Sequence, residues 1–425
     1  MKIGLGSTDI TPPMGIEMVG YHYDRHAEDV HDKLWARTIC FDDGRKKAAI
    51  ISCDICFFEK KTVDLVKEEI AAQNLLPWKN IILCACHTHT GPVVSGDYER
   101  YLVKKIAESL KTAQASLTNA TLSAGTFPLP KVCFNRRYWM KDGTVVTNPG
   151  KCNPGIVRPA GPAPTEAPFV IMNLEKNNGA SCLLVNIPLH PDTIAGNLIS
   201  ADYPYYIADE IKKRMPSISE VIYANGTSGN INHWDVADPG LQRGFDEAER
   251  IGRAIGNALL ASCPTVKPAK SDCIAVERQK IKLPVIKVSK EELLEAERIL
   301  LKPYPPGVDF TMEVVHAKKL IRAAGIKDDS VDAEITAVGV GDIVFIGMPA
   351  ELFVELGIEI TRKSPFLTTV IMDLSYGCIG YIATPEAYEQ GGYEVVSNIY
   401  KPEAGSIVVD ATLQVLNRLR SKILV

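Results

Sequence analysis

Histidine is scarce in this chain. Eight occur in 425 residues, so any imidazole chemistry must be concentrated at a few positions. A surplus of positive charge is also missing: 47 Lys and Arg stand against 51 Asp and Glu, a net charge of −4. Phosphate backbones demand such a surplus, so nucleic acid is not an expected partner. No apolar run approaches the ~18–20 residues of a membrane span, so stable membrane insertion is not expected. The N-terminus lacks an export signal, because Asp9 interrupts it before an apolar stretch of ~7–15 residues can form. The eleven cysteines are odd in number and lack the spacing of a small disulfide scaffold. They are expected to be reduced, in a cytoplasmic protein. Cys53 and Cys56 are formally CxxC but follow an apolar run, and are read with Cys84 and Cys86 as core packing. Two glycosylation sequons, at Asn119 and Asn225, carry no weight in a cytoplasmic chain.

What is present is ordinary for a globular protein, 46% hydrophobic and 23% charged. The first half alternates apolar runs with amphipathic segments. Ala48–Ser52 and 80–86 read as strands, and Thr62–Ala72 and Tyr98–Leu117 as helices, a pattern of βαβ units. Residues 126–168 are rich in Pro and Gly and read as a loop-rich insertion, more often functional than decorative. A strand from Cys182, a helix from Tyr203 with Pro204 in its first turn, a strand at Glu220–Ala224 and a helix at Phe245–Ala261 follow. Residues 285–325 read as a helical hairpin, opened by a capping box at Ser289–Glu292 and taken as an insertion or lid. Residues 333–347 read as a tight two-stranded hairpin, and a last helix runs from about Ala404 to Arg420.

His87-Thr88-His89 closes an apolar strand just before Gly91-Pro92. Positions two apart in an extended chain face the same side. Two imidazoles at the carboxyl end of a strand, where α/β sheets place ligands, can share a metal or a substrate. The alternative is a structural, hydrogen-bonded pair. His190 follows another apolar strand in the same way. Zinc accepts histidine nitrogens and carboxylate oxygens, and a catalytic site keeps one position open. The polar turn Asn225–His233 can present N–H groups to a ligand, or be merely a tight connection. Glu351, after the strand ending near Gly347, can be an oxygen ligand or a helix-start acid. Tyr381, Tyr388, Tyr393 and Tyr400 lie in one polar stretch and suggest a pocket wall, or surface tyrosines without a special task.

These motifs, taken in order, resemble the neutral/alkaline ceramidases, whose zinc-bearing catalytic domain cleaves the amide of N-acyl sphingosines. The resemblance rests on Asp9-Ile10-Thr11-Pro12-Pro13 with Gly20-Tyr21, on His31–Arg37, and on His87-Thr88-His89-Thr90-Gly91-Pro92. It continues through Asn135-Arg136, His190 with Asn197–Asp202, Glu351 in its Pro-Ala-Glu stretch, and Thr384–Tyr388 with Tyr393-Glu394 through Tyr400. It implies a large mixed-sheet α/β domain of the neutral ceramidase catalytic-domain type. It further implies one Zn2+ per chain, held by His87, His190, Glu351 and Tyr388. His89 falls on a position that orients a ligand or faces substrate, and Arg136 and Tyr400 on substrate-contacting positions.

The departures from the family pattern redirect the chemistry. The family's active-site serine is replaced by Asn232, and Ser228 is out of register to substitute for it. An amide cannot be the nucleophile, though it can donate to an oxyanion, so hydrolysis is expected to use water activated by the metal. His233 and Asp235 are titratable groups foreign to the family pattern and are candidates for a general acid or base. The chain is too short for the family's immunoglobulin-like C-terminal domain, and no amphipathic membrane-binding helix stands out. The expectation is a zinc-dependent hydrolase acting on an N-acyl bond of a small soluble molecule. An ester, lactone or sugar derivative at the same site is one alternative, and a non-catalytic ligand- or metal-binding protein is another. Architecturally, one unit spans 1–425. The strand-end histidines lie on one rim of a mixed sheet, with 126–168 and 285–325 near the opening.

Overall fold

Runs such as Lys47–Cys53 and Ile81–Ala85 are apolar at nearly every position, a composition suited to strands covered on both faces. In the computed structural model, which describes residues 1–21, 23–175, 181–302 and 311–424, they are covered in that way. They belong to a nine-stranded mixed sheet. Its main path runs Ile218–Asn225, Ser181–Ile187, Glu166–Leu174, Thr118–Pro128, Lys2–Asp9, Trp35–Asp42, Lys47–Cys53, Ile81–Ala85. The pairs at the two ends of this path are parallel, and each is joined through a helix, Tyr203–Arg214 or Lys60–Ala72. A second sheet of four strands is ordered Ile274–Pro284, Ser330–Val340, Ile343–Gly347, Thr368–Met372, its last pair parallel.

The two sheets face each other across a shared core, where Ile3, Phe41, Ile50 and Leu184 of the first meet Val338, Phe345 and Met372 of the second. Helices cover the outer faces. Lys60–Ala72 and Gly96–Ala115 pack on one part of the large sheet, Tyr203–Arg214 and Phe245–Ser262 on another. Val354–Lys363 and Ala404–Leu424 pack on the small sheet. The layering is helix, sheet, sheet, helix.

A wide sheet accumulates right-handed twist and curls. Here the curl brings Ile218–Asn225 against strands near the far end of the path. Ser52 Oγ donates to the Tyr223 carbonyl at 2.6 Å, and Arg37 Nε reaches Glu220 at 3.1 Å. The carboxyl ends of the two outer parallel pairs therefore meet, although they are far apart in sheet order. The carboxyl ends of Ile343–Gly347 and Thr368–Met372 arrive there from the second sheet.

The expected helices and buried strands are present, including the capping box at Ser289. Three departures have physical reasons. Lys2–Asp9, Trp35–Asp42 and Ile274–Pro284 are strands with polar residues interleaved, a pattern weaker than a continuous apolar run. The segment 126–168 is not loop alone: Arg137–Met140, Val145–Thr147 and Ile156–Pro159 form a three-stranded sheet, with most of the prolines outside its strands. The helical hairpin, Lys290–Leu300 and Met312–Ala324, packs against the segment 379–397. Arg322 donates to the Ile379 carbonyl at 2.7 Å and Lys319 to the Val395 carbonyl at 3.4 Å. Residues 303–310, expected as the break between these helices, lie outside the described residues. No helix among the described residues is long and apolar enough to cross a membrane.

Candidate metal centre

His87 lies two residues past the strand Ile81–Ala85 and adopts φ +75°, a left-handed backbone that a β-substituted residue rarely takes. Its N–H donates to the Ile55 carbonyl at 2.9 Å, which holds the chain in that turn. Such strain gathers at sites where geometry matters more than local comfort. His190 stands three residues past Ser181–Ile187, and Glu351 opens the short strand Glu351–Leu352 beyond Ile343–Gly347. Nε2 of His190 lies 3.1 Å from Glu351 Oε2, and Nε2 of His87 lies 3.4 Å from the same oxygen. All three residues are buried. Residues remote in sequence thus present donor atoms within 4.8 Å of one another.

The outer ring nitrogens fix the chemistry of the inner ones. His190 Nδ1 is 2.8 Å from the Ser228 carbonyl and His87 Nδ1 is 3.0 Å from the Cys56 carbonyl. A carbonyl only accepts, so each Nδ1 carries a hydrogen and each ring turns its Nε2 inward, as a lone pair wherever that ring is neutral. Two ring nitrogens and a carboxylate then face one another, acceptors all unless one ring takes a second proton. Only a cation, metal or proton, reconciles that arrangement. Burial works against charge on His87, but Cys56 and Glu351 outweigh it and hold its pKa well above the usual range. Burial likewise opposes ionisation of Glu351, yet His190 and His87 hold its carboxyl well below the ordinary value. Two nitrogens and one oxygen at this spacing suit zinc.

The surroundings are built for close approach. Gly229 packs so tightly that a Cβ there would lie 2.6 Å from the Glu351 carbonyl oxygen. Its neighbour Ser228 supplies the carbonyl that orients His190, and Ser228 Oγ itself accepts from Asn225. Asp373, fully buried, accepts the Leu352 N–H at 2.8 Å and pins the peptide after Glu351. Burial pushes its carboxyl well above the usual range.

His89 joins this group, with Nε2 3.4 Å from Nε2 of His87. Burial and the charge of His87 push its pKa down to about 3, so it is neutral at ordinary pH. Gly20, at φ +108°, lies against it, and a Cβ there would be 2.7 Å from the His89 Cα. Arg136 donates to the Gly229 carbonyl at 2.7 Å and to Glu394 at 2.6 Å, and its guanidinium lies 5.5 Å from the Tyr381 ring centroid. Asn232 donates to Asn148 at 2.8 Å, so the segment 126–168 reaches this region. His233 lies beside Asp192, Nδ1 to Oδ1 3.3 Å. Asp235 is turned into its own loop, where its Oδ1 accepts the Ala237 N–H.

Two expected residues are not brought to the cluster. Tyr388 exchanges hydrogen bonds with Asn398 at 3.0 and 3.2 Å, and Tyr400 donates to the Ile379 carbonyl at 3.0 Å. Tyr381 and Tyr393 stand there instead, both raised in pKa by burial and by the charge of Glu351. Their rings meet edge-on, 5.9 Å between centroids. The cause is register: Tyr381 pairs with Glu351 in a parallel two-stranded ladder. The pairs Tyr381/Tyr393 and Tyr388/Tyr400 have equal separations in the chain, so spacing alone could not choose between them. Cys56 was also missed. Its thiol is 3.6 Å from His87 Nδ1, whereas Cys53, Cys84 and Cys86 are buried in the core as expected. Cys378 Sγ lies 3.8 Å from Glu351 Oε1.

Fold and cluster define a class: a layered α/β protein with a candidate cation site at the carboxyl ends of its strands. Comparison with known proteins makes the class particular. Residues 1–141 match the family model for the N-terminal region of neutral/alkaline non-lysosomal ceramidases. Neutral ceramidase 2 of Arabidopsis thaliana is 31% identical over 109 residues, which are 24% of this chain and 14% of that protein. The crystal structure of neutral ceramidase from Pseudomonas aeruginosa superposes with a TM-score of 0.76 at 18% identity, covering 99% of this chain and 75% of that one. A ceramidase complexed with C2 gives 0.75 at 17% identity. The chain therefore has the fold of those ceramidase structures over 99% of its length, and its residues 1–141 are similar in sequence to the N-terminal region of that family.

Proposed function

We propose that this protein is a metal-dependent hydrolase that cleaves an N-acyl bond of a small soluble molecule, with Zn2+ held by His87, His190 and Glu351. The observation that carries the reading is the convergence of two inward ring nitrogens and one carboxylate on a single place for a cation. When bound, zinc supplies Lewis acidity that polarises a carbonyl and makes a water acidic. The chain's own groups do the rest. Ser228 and Cys56 carbonyls hold the two imidazoles in the ligating tautomer. Tyr381 takes the phenol position first assigned to Tyr388, beside Glu351. Arg136, braced by Glu394, presents positive charge where an oxyanion would develop, and Asn232 can donate an amide N–H. His89, neutral and close to the cluster, would present a ring nitrogen that can orient a water or the substrate by a hydrogen bond. No serine nucleophile is required.

Metal analysis of the purified protein beside His87→Ala tests this reading. One equivalent of zinc in the parent, lost with amide hydrolysis in the variant, supports it. A variant that keeps both removes it. Parallel panels of acyl amides, lactones and glycosides identify the bond.

A further inference from the structure

The stretch His31–Arg37 carries part of the family resemblance, yet the proposed chemistry uses none of it. Trp35 and Arg37 are two apart in the strand Trp35–Asp42, so both side chains face one way. They line a cavity of about 700 Å³, a volume suited to a small molecule. The cavity lies at the seam where the curled sheet closes. Val221 and Tyr223 of the strand Ile218–Asn225 form a second wall. The helix Tyr203–Arg214 forms the third, turning Tyr205, Ala208 and Lys212 inward at helical spacing.

What this cavity has left to offer is donors. Its three acids are already engaged. Asp54 accepts from Arg37 and from the Trp35 N–H. Asp32 accepts from His31, from the Ser200 hydroxyl and from the Ala201 N–H. Asp209 lies 3.5 Å from Arg253. The cations are not used up. Arg37 spends Nη1 on Asp54 and Nε on Glu220, while its Nη2 has no partner among the described residues and is open to solvent. Lys213 is exposed at the rim. A guanidinium held on two sides and open on the third suits a planar acceptor such as a carboxylate. The Trp35 ring, 5.9 Å from that guanidinium, and Tyr205 supply apolar surface that a bare inorganic ion would leave uncovered.

The same acids hold the turn that carries His87. Asp54 precedes Ile55 and Cys56, whose carbonyls accept the His87 N–H and its Nδ1–H. Ser200, bound to Asp32, accepts the Thr88 hydroxyl at its carbonyl at 2.6 Å. We propose that this cavity is a second ligand site, separate from the metal centre, for a small organic carboxylate with a flat apolar body. The carboxylate takes Arg37 Nη2, and the body lies against Trp35 and Tyr205. The competing view is that His31–Arg37 is a buttress for the His87 turn and the cavity holds only water.

Calorimetry on the zinc-loaded, full-length protein separates these views. The probes are benzoate and benzamide, which share a ring and a shape and differ in charge. The parent should bind benzoate at least about tenfold more tightly. Arg37→Lys keeps a cation between Asp54 and Glu220 but lacks the free nitrogen, and should lose that preference. Ala208→Trp, on a partly exposed helix position, fills the cavity and should abolish binding of both probes. Circular dichroism confirms that each variant is folded. Benzoate also ligates zinc, so the titration is repeated on metal-stripped protein, where binding should persist. Absence of benzoate binding by the parent, or equal binding of the two probes, overturns the proposal. So does binding that disappears with the metal or survives in a folded Ala208→Trp protein.

Discussion

Two buried charged clusters lie along the curled sheet, and they are built on opposite principles. In the first, Arg37 is clasped between Asp54, Nη1 to Oδ2 2.7 Å, and Glu220, Nε to Oε1 3.1 Å. The Trp35 N–H donates to that same Asp54 oxygen, and the Ser7 hydroxyl to the other oxygen of Glu220. Opposite charges are matched, and the cluster fastens one end of the sheet to the other. In the second, Nε2 of His87, Nε2 of His190 and the Glu351 carboxylate face one another, and the backbone carbonyls that hold the rings accept from the outer nitrogens, so the place between them is left to a cation. A matched cluster is a staple. An unmatched one, held equally firmly, asks for something from outside. Burial and charge alone do not distinguish the two; the count of hydrogens does.

The largest effects should come from breaking the unmatched cluster. Glu351→Gln or His190→Ala should abolish stoichiometric zinc and cut amide hydrolysis by ~10³-fold or more, with the melting temperature of the metal-stripped protein little changed. Metal analysis and steady-state kinetics measure both. Breaking the staple should do the reverse. Arg37→Met leaves the buried Asp54 without its cation and Glu220 with Lys212 alone, and should cost ~3 kcal/mol in denaturant unfolding, while the folded fraction still binds zinc.

The tyrosines sharpen the contrast within the site. Tyr381→Phe should lower kcat ~10²-fold, as loss of a group facing developing charge does. Tyr388→Phe should stay within ~3-fold, because its hydroxyl serves Asn398. The reverse ranking would restore the assignment made from sequence. The smallest effect is one of pH. Burial raises the Glu220 pKa, but Arg37, Lys212 and Ser7 outweigh it and hold the carboxyl below its ordinary value. A depressed carboxyl contributes stability above its unfolded pKa and loses it as pH falls through the folded one. Glu220→Gln should therefore cost ~1–2 kcal/mol at pH 7, and the gap from the parent should close below pH ~4. A gap that persists in acid would mean Glu220 acts through shape, not charge.

Much of this was legible in the chain. His87, His89, His190 and Glu351 each follow an apolar run, and strand ends with titratable side chains are visible without coordinates. Asn232 stands out only against the family resemblance; its place in the fold is set by its hydrogen bond to Asn148. Tyr381 was not legible. Its claim on the site comes from lying opposite Glu351 in a two-residue ladder, and a pairing that short leaves no periodicity to read. Cys56 was taken for core because the run before it is core; the turn that carries its thiol to His87 is set by contacts from elsewhere.

The sequence by itself determined the layers: which runs must be covered on both faces, which helices have one apolar side, and which few side chains could hold a cation. Tertiary structure alone decided which of them meet. Twist accumulated over many strands curls the sheet, and only that curl brings two strand ends from opposite edges to within hydrogen-bonding distance of one carboxylate. Hydrophobic periodicity is a local property of the chain, whereas closure is a property of the whole sheet, and no window of residues contains it.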